Sequence, residues 1–293
     1  MLILIADAFD SSLPERLKEF GEVTTDAGRV AEAEVVLIRS KTKCTREYID
    51  AAPKLKLIIR GGVGLDNVDA AYAKQKGITV DNTPEASSVA VAELAMALMI
   101  AVPNQLVLAH NSMAEGKWLK KDIKRTELYQ KTLGLLGIGR IGAEVAKRAR
   151  AFEMRVVAYD PFVKQSDLAE MKSLDEVLAA SDYLSLHMPL TDDTRNMLNA
   201  DRIGKMKKGV VIVNTGRGKC VDEPALVKAL ESGHVGAYAT DVWTSDPPPD
   251  TCPLLKAPRV LMAPHIGASS KENLLRIGDI VVRKLREHSA AKK

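Results

Sequence analysis

In this chain, side chains able to move a proton or hold an anion sit at the ends of apolar runs. His265 follows the run Val260–Met262, with Gly267 just beyond to let a ligand come close and the acids Asp241 and Asp246 nearby. A neighbouring carboxylate favours the protonated imidazole, so a histidine placed there suits general acid–base work. Arg217 follows the run Val210–Val213 between two glycines, and its planar guanidinium matches a carboxylate. A structural arginine on a loop is the competing reading, and position alone does not separate the two. Among the remaining histidines, His110 falls in a helical stretch, His234 in a turn and His288 near the C-terminal end, all simplest as structural groups. Cys44, Cys220 and Cys252 are odd in number and never spaced C-x-x-C, which reads as unpaired thiols and no metal site.

The densest signal lies between Lys131 and Pro161. An apolar run, Leu133–Leu136, enters Gly137-Ile138-Gly139-Arg140-Ile141-Gly142, and Ala143, Val145, Ala146, Ala149 and Phe152 then recur at helical spacing. A second run, Val156–Tyr159, ends at Asp160, 18 residues past the last glycine. Strand, glycine turn, helix, strand and acid together form a dinucleotide fingerprint. The first glycine permits the tight turn, the second lets a pyrophosphate approach, and the third lets helix pack on strand. The helix start offers unpaired N–H groups and a positive dipole to the phosphates. Asp160 can accept from both ribose hydroxyls, and Pro161 and Phe162 follow it where an arginine would suit a 2′-phosphate. NAD is therefore expected rather than NADP. His187 ends the run Tyr183–Leu186 inside this region, where it could border the adenine.

These groups need a scaffold. The 293 residues suffice for two domains, and 46% hydrophobic with 27% charged residues is a soluble globular profile. A net charge of +4 lies partly in Lys284, Arg286, Lys292 and Lys293, and aromatics are only 4%, so no nucleic-acid partner is expected. Gly116–Arg125 is basic and reads as a solvated face. Val89–Val102 is interrupted by Glu93 and too short to span a bilayer, and Met1–Ile5 reads as a strand rather than a signal peptide. No membrane association is expected, and the cytoplasm is the expected compartment.

Residues 1–83 alternate strand-like runs (Leu2–Ala6, Val35–Ile38, Leu55–Ile59, Ile78–Val80) with helical candidates (Ser12–Glu19, Arg46–Ala51, Asn67–Lys76). Such alternation argues for an α/β fold with parallel sheets. Asn82-Thr83-Pro84 marks a boundary, and a long Ala- and Met-rich helix follows to Val102, reading either as a core helix or as a subunit contact. The segment Lys271–His288 is amphipathic and helical.

Several stretches together resemble the D-isomer-specific 2-hydroxyacid dehydrogenases, particularly D-3-phosphoglycerate dehydrogenases. They are Arg60–Asp69, Asn82–Leu94, Gly134–Gly142, His187–Thr191, Val213–Glu223, ATDVW ending at Trp243, and Pro264–Ser269. The resemblance implies two doubly wound parallel-sheet domains with a cleft between. One is a flavodoxin-like substrate domain of residues 1–84 and 267–293; the other is a Rossmann NAD-binding domain of residues 85–266. It implies a catalytic triad of Arg217, Asp246 and His265. The expected NAD set is Gly137, Gly139, Arg140, Ile141, Gly142, Asp160, His187, Pro189, Thr215, Asp241 and Gly267, with Asp241 at the nicotinamide carboxamide. The expected substrate set is Arg60, the amides of Val63 and Gly64, and Lys120, with Lys121 beside it. The family pattern resembles D-V-F-x-x-E-P, whereas this chain has Asp246 in place of Glu, one methylene shorter. By resemblance the chain is a short form lacking regulatory domains, a homodimer through its long helix, and an enzyme of serine biosynthesis acting on 3-phosphoglycerate. A glyoxylate/hydroxypyruvate or D-lactate-type reductase is the alternative enzyme, and an NAD-sensing corepressor the alternative of another class.

Overall fold

The structure, a computed structural model, describes residues 1–290. Lys292 and Lys293, part of the basic C-terminal excess, lie outside the described residues. The chain packs as two units, Met1–Ala90 with the segment from Ala268 onward, and Val91–Gly267.

In the first unit the elements run β1 (Leu2–Ile5), α1 (Leu13–Leu17), β2 (Glu22–Thr24), β3 (Val35–Ile38), α2 (Arg46–Asp50), β4 (Leu57–Arg60), α3 (Ala70–Gln75) and β5 (Thr79–Asn82). Helix α4 (Ser88–Ala101) begins here. The strands form a five-stranded parallel sheet in the order β2-β1-β3-β4-β5. Successive residues of a strand face opposite sides, and both sides are covered. Ile3, Val35, Leu37 and Ile59 meet the final helix on one face, while Leu4, Val36, Ile38 and Ile58 pack on Cys44, Ile49 and Ala73 on the other. Helix α3 starts at Ala70 rather than at Asn67 as expected, because the Asp69 carboxylate accepts from the Tyr72 amide at 2.9 Å and caps it there. Ala86 packs into this unit's core and Ser87 Oγ accepts from Asn273, which carries the unit past the Pro84 turn.

The second unit continues with α5 (Leu106–Ala114), β6 (Thr132–Leu136), α6 (Arg140–Ala151), β7 (Arg155–Tyr159), β8 (Glu170–Met171), α7 (Leu174–Ala180) and β9 (Tyr183–Leu186). Then follow α8 (Ala200–Gly204), β10 (Val210–Asn214), α9 (Glu223–Glu231), β11 (Val235–Thr240) and β12 (Val260–Met262), and α10 (Lys271–Ala290) completes the first unit. The second sheet has seven parallel strands in the order β12-β11-β10-β9-β6-β7-β8. The expected α/β class and the two parallel sheets are both found. Leu133, Leu135, Val211 and Val213 enter one core with α4 and α6, and Leu136, Val210 and Ile212 enter the other with α7 to α9. On α6, Gly142, Val145, Ala146 and Ala149 form the buried stripe that a 3.6-residue period demands.

The long Ala- and Met-rich helix is a core helix of its own chain. Ala92, Ala95, Met96, Leu98, Met99 and Val102 are buried in the second unit's core. On its outer face Val89 and Ala97 remain exposed, and α5 adds further apolar surface, with Leu106, Val107, Leu108 and Met113 each about half exposed. No single helix among the described residues is long and apolar enough to cross a membrane.

Candidate active site

Parallel neighbours end side by side. Thr240 on β11 pairs with Asn214 on β10 and with Met262 on β12, so these three strands finish at one edge of the second sheet. The loops leaving those ends carry Arg217, Asp246 and His265. The adjacent β11 and β12 loops continue to hold each other past the sheet. The Ala263 amide donates to the Thr240 carbonyl at 2.8 Å, Trp243 Nε1 donates to the Ala263 carbonyl at 3.0 Å, and His265 Nδ1 meets Asp246 Oδ2 at 2.5 Å. Both side chains of that last pair are partly exposed, so a ligand can reach them.

The β10 loop is drawn in by a close approach. A Cβ on Gly218 would lie 2.2 Å from the carbonyl carbon of Trp243, so backbone packs on backbone where only glycine fits. This seats the loop of Arg217 against the loop of Asp246. Asn214, fully buried, sets its shape: Nδ2 donates to the Arg217 carbonyl at 3.0 Å and to Tyr238 Oη at 3.2 Å, and Oδ1 accepts from the Gly216 amide at 3.0 Å. Asn214, Tyr238 and Trp243 escape sequence reasoning, as does the close approach that Gly218 makes. The one signal available for Asn214 is a polar residue closing the apolar run Val210–Val213.

Asp241 holds the other side of the histidine turn. Its buried carboxylate accepts from the amides of Ile266 at 2.8 Å and Gly267 at 2.7 Å. Burial raises its pKa above the usual carboxylate value, while these two amides and the nearby His265 oppose that shift. His265 itself adopts φ +56°, an uncommon backbone state for a residue with a side chain. Anchored from both flanks, the imidazole has a fixed seat.

The glycine turn lies on the same sheet, at the end of β6. Gly137 sits at φ +93°, and a Cβ on Gly142 would lie 2.2 Å from the Gly137 carbonyl oxygen. At Gly139, the N-cap of α6, an added Cβ would meet nothing within 4 Å, which leaves open space over the helix start. Arg140 and Ile141 open that helix, whose first amides have no intrahelical partner. Asp160, at the end of β7, accepts from the amides of Ile138 at 3.0 Å and Phe162 at 2.9 Å, so its carboxylate is fixed beside the turn with further lone pairs to offer. An open helix start with a fixed acid across from it fits a dinucleotide.

His187 is held differently from the other candidates. Its Nε2 lies 2.8 Å from Ser185 Oγ and its Nδ1 3.5 Å from Thr215 Oγ1, and its backbone backs onto Gly137. Burial pushes its pKa down to about 4, so the ring is neutral at pH 7. Pro189 is exposed after β9, and Gly267 is buried against Asp241, Val91 and Leu94.

In the first unit, Arg60 ends β4 and tucks its guanidinium under Gly62, while Val63 and Gly64 follow on the same loop. Lys120 and Lys121 are exposed in a turn between α5 and β6.

A sequence model of the D-isomer specific 2-hydroxyacid dehydrogenase NAD-binding domain matches residues 96–267. A hydroxypyruvate reductase of Thermotoga maritima is 49% identical over 259 residues, covering 87% of this chain and 85% of that one. A D-3-phosphoglycerate dehydrogenase of Methanocaldococcus jannaschii is 41% identical over 97% of this chain, which spans only 57% of that relative's length. Among solved structures, a D-lactate dehydrogenase of Aquifex aeolicus in complex with NAD and lactic acid superposes with a TM-score of 0.88 at 31% identity, covering 99% of this chain and 96% of that one.

Proposed function

This chain belongs to the D-isomer specific 2-hydroxyacid dehydrogenases, with NAD as cofactor, and within that family we propose that it interconverts hydroxypyruvate and D-glycerate. The observation that carries the activity is the Asp246–His265 pair at 2.5 Å on loops adjoining that of Arg217, in the same unit as the dinucleotide cradle. It also counts against the non-catalytic, corepressor-like reading.

Asp246 accepts the Nδ1 proton of His265, which fixes the tautomer and leaves Nε2 for the substrate. In reduction the imidazolium gives its Nε2 proton to the carbonyl oxygen; in oxidation neutral Nε2 takes the proton of the hydroxyl. Asp246 stabilises the cationic form in both directions. Arg217 offers its guanidinium to the substrate carboxylate and polarises the neighbouring carbonyl. The nicotinamide, when bound, supplies the hydride chemistry at C2. Gly137 to Gly142 and Asp160 would hold the cofactor's pyrophosphate and ribose, and Asp241 and Thr215 would lie toward its nicotinamide. Within the first unit, Arg60, Val63 and Gly64 are assigned to anion binding.

The unphosphorylated acid takes the lead because the hydroxypyruvate reductase is matched over most of its own length. The phosphorylated counterpart, 3-phosphohydroxypyruvate, is the second reading, supported by the phosphoglycerate dehydrogenase relatives and by the exposed Lys120 and Lys121. A panel of hydroxypyruvate, 3-phosphohydroxypyruvate, glyoxylate and pyruvate with NADH decides between them. Hydroxypyruvate is expected to show the highest kcat/KM; a preference for the phosphorylated acid would transfer the assignment to it.

A homodimer is also proposed, seated on α5. Leu106, Val107 and Leu108 are about half exposed and border a groove of about 550 Å³, an apolar surface that a second copy would cover. Light scattering should give twice the chain mass for the native protein and the single mass for Val107→Glu. A native monomer would contradict it.

A further inference from the structure

Asp246 poses a problem of reach that the structure answers elsewhere. An aspartate carboxylate extends about 1.5 Å less far from the backbone than a glutamate's, the length of one carbon–carbon bond. Yet Asp246 Oδ2 lies 2.5 Å from His265 Nδ1. The loops carrying the two residues therefore lie close enough for the shorter side chain to span them. Strand pairing between β11 and β12 ends at Thr240 and Met262, and the last backbone bond runs from the Ala263 amide to the Thr240 carbonyl. The carbonyl of that same Ala263 accepts a second bond, from the Trp243 indole N–H at 3.0 Å. Trp243 is three residues before Asp246, and Ala263 two before His265.

We propose that Trp243 is a positioning residue, whose indole bond to Ala263 draws the two loops together so that the short Asp246 side chain spans to His265. The deduction rests on the dehydrogenase reading for its kinetic arm only. Phenylalanine keeps an aromatic ring against the second core while removing the N–H and part of the indole's bulk. In Trp243→Phe the loops spread, the carboxylate falls short, and proton transfer slows. Misplacement of a reacting group by about 1 Å costs on the order of 100-fold in rate. Glutamate at 246 restores the reach, so the indole bond then matters little.

The test is a double-mutant cycle of Trp243→Phe and Asp246→Glu in the full chain. Trp243→Phe is expected to lower kcat at least tenfold with NADH affinity unchanged by calorimetry. Added to Asp246→Glu, it should change kcat by less than about threefold. Equal losses in both backgrounds would overturn the positioning role while leaving the dehydrogenase activity standing. No turnover by the native chain would defeat the activity, and a second readout then decides the inference. Nitrogen-15 shifts of the His265 ring report the Nδ1–Asp246 bond without substrate. They should show that bond in the native chain, lose it in Trp243→Phe and regain it in the double variant; unchanged shifts would refute the proposal.

Discussion

An imidazole works as an acid or base only at the nitrogen it presents, so what holds its other nitrogen matters as much as its charge. His265 and His187 illustrate the two outcomes. His265 gives Nδ1 to a carboxylate on a loop and keeps Nε2 available. His187 has both nitrogens next to hydroxyls, and its burial depresses its pKa from 6.5 to about 4. Between those values the unfolded chain binds a proton that the folded chain refuses, so this residue's contribution is intact above pH 6.5 and lost as pH falls toward 4. The loss from pH 7 to pH 5 is on the order of 2 kcal/mol. His187→Gln, which cannot take up that proton, should show a correspondingly smaller drop in urea stability over the same interval. Equal drops in the variant and the native protein would show that His187 is not the group responsible.

Among the elements, the loops after β10, β11 and β12 do the assembling. Gly218→Ala places a methyl 2.2 Å from the Trp243 backbone, which cannot move aside without parting the loops of Arg217 and Asp246. We expect a loss of about 1–3 kcal/mol and a fall in kcat of tenfold or more. Gly204→Ala in α8, where nothing lies within 4 Å of the new methyl, serves as the control and should leave both near native. A Gly218→Ala protein with native kcat would remove the close approach from the account of catalysis. The long-buried strands were legible because a strand covered on both faces is a continuous apolar run, as in Val35–Ile38 and Val210–Val213. Strands β2 and β8 were not, being three and two residues held by their neighbours and not by their own pattern. Arg217, Asp246 and His265 could be found from their places after strands. The clamp around them could not, since Gly218 meets Trp243, and Trp243 meets Ala263, across 20 or more residues of chain that only the fold brings together.

At the scale of the molecule, each unit has its own parallel sheet and its own pair of cores, and the groups assigned to proton transfer share the second unit with the cofactor cradle. The loops at the carboxyl ends of β6 and β7 carry the glycine turn and Asp160, and those at the ends of β10, β11 and β12 carry Arg217, Asp246 and His265, all on one edge of one sheet. That edge is where parallel α/β sheets bind ligands, because the loops there are free to vary while the strands are not. The exposed apolar face of α5 is separate from those loops in sequence, so association and chemistry can be tested independently. The most direct measurement compares NADH oxidation with hydroxypyruvate by the native chain and by His265→Ala, with NADH binding followed by calorimetry on both. If His265 moves the proton, binding stays within about threefold while kcat falls on the order of 100- to 10,000-fold. A variant that turns over within tenfold of the native chain would contradict that role.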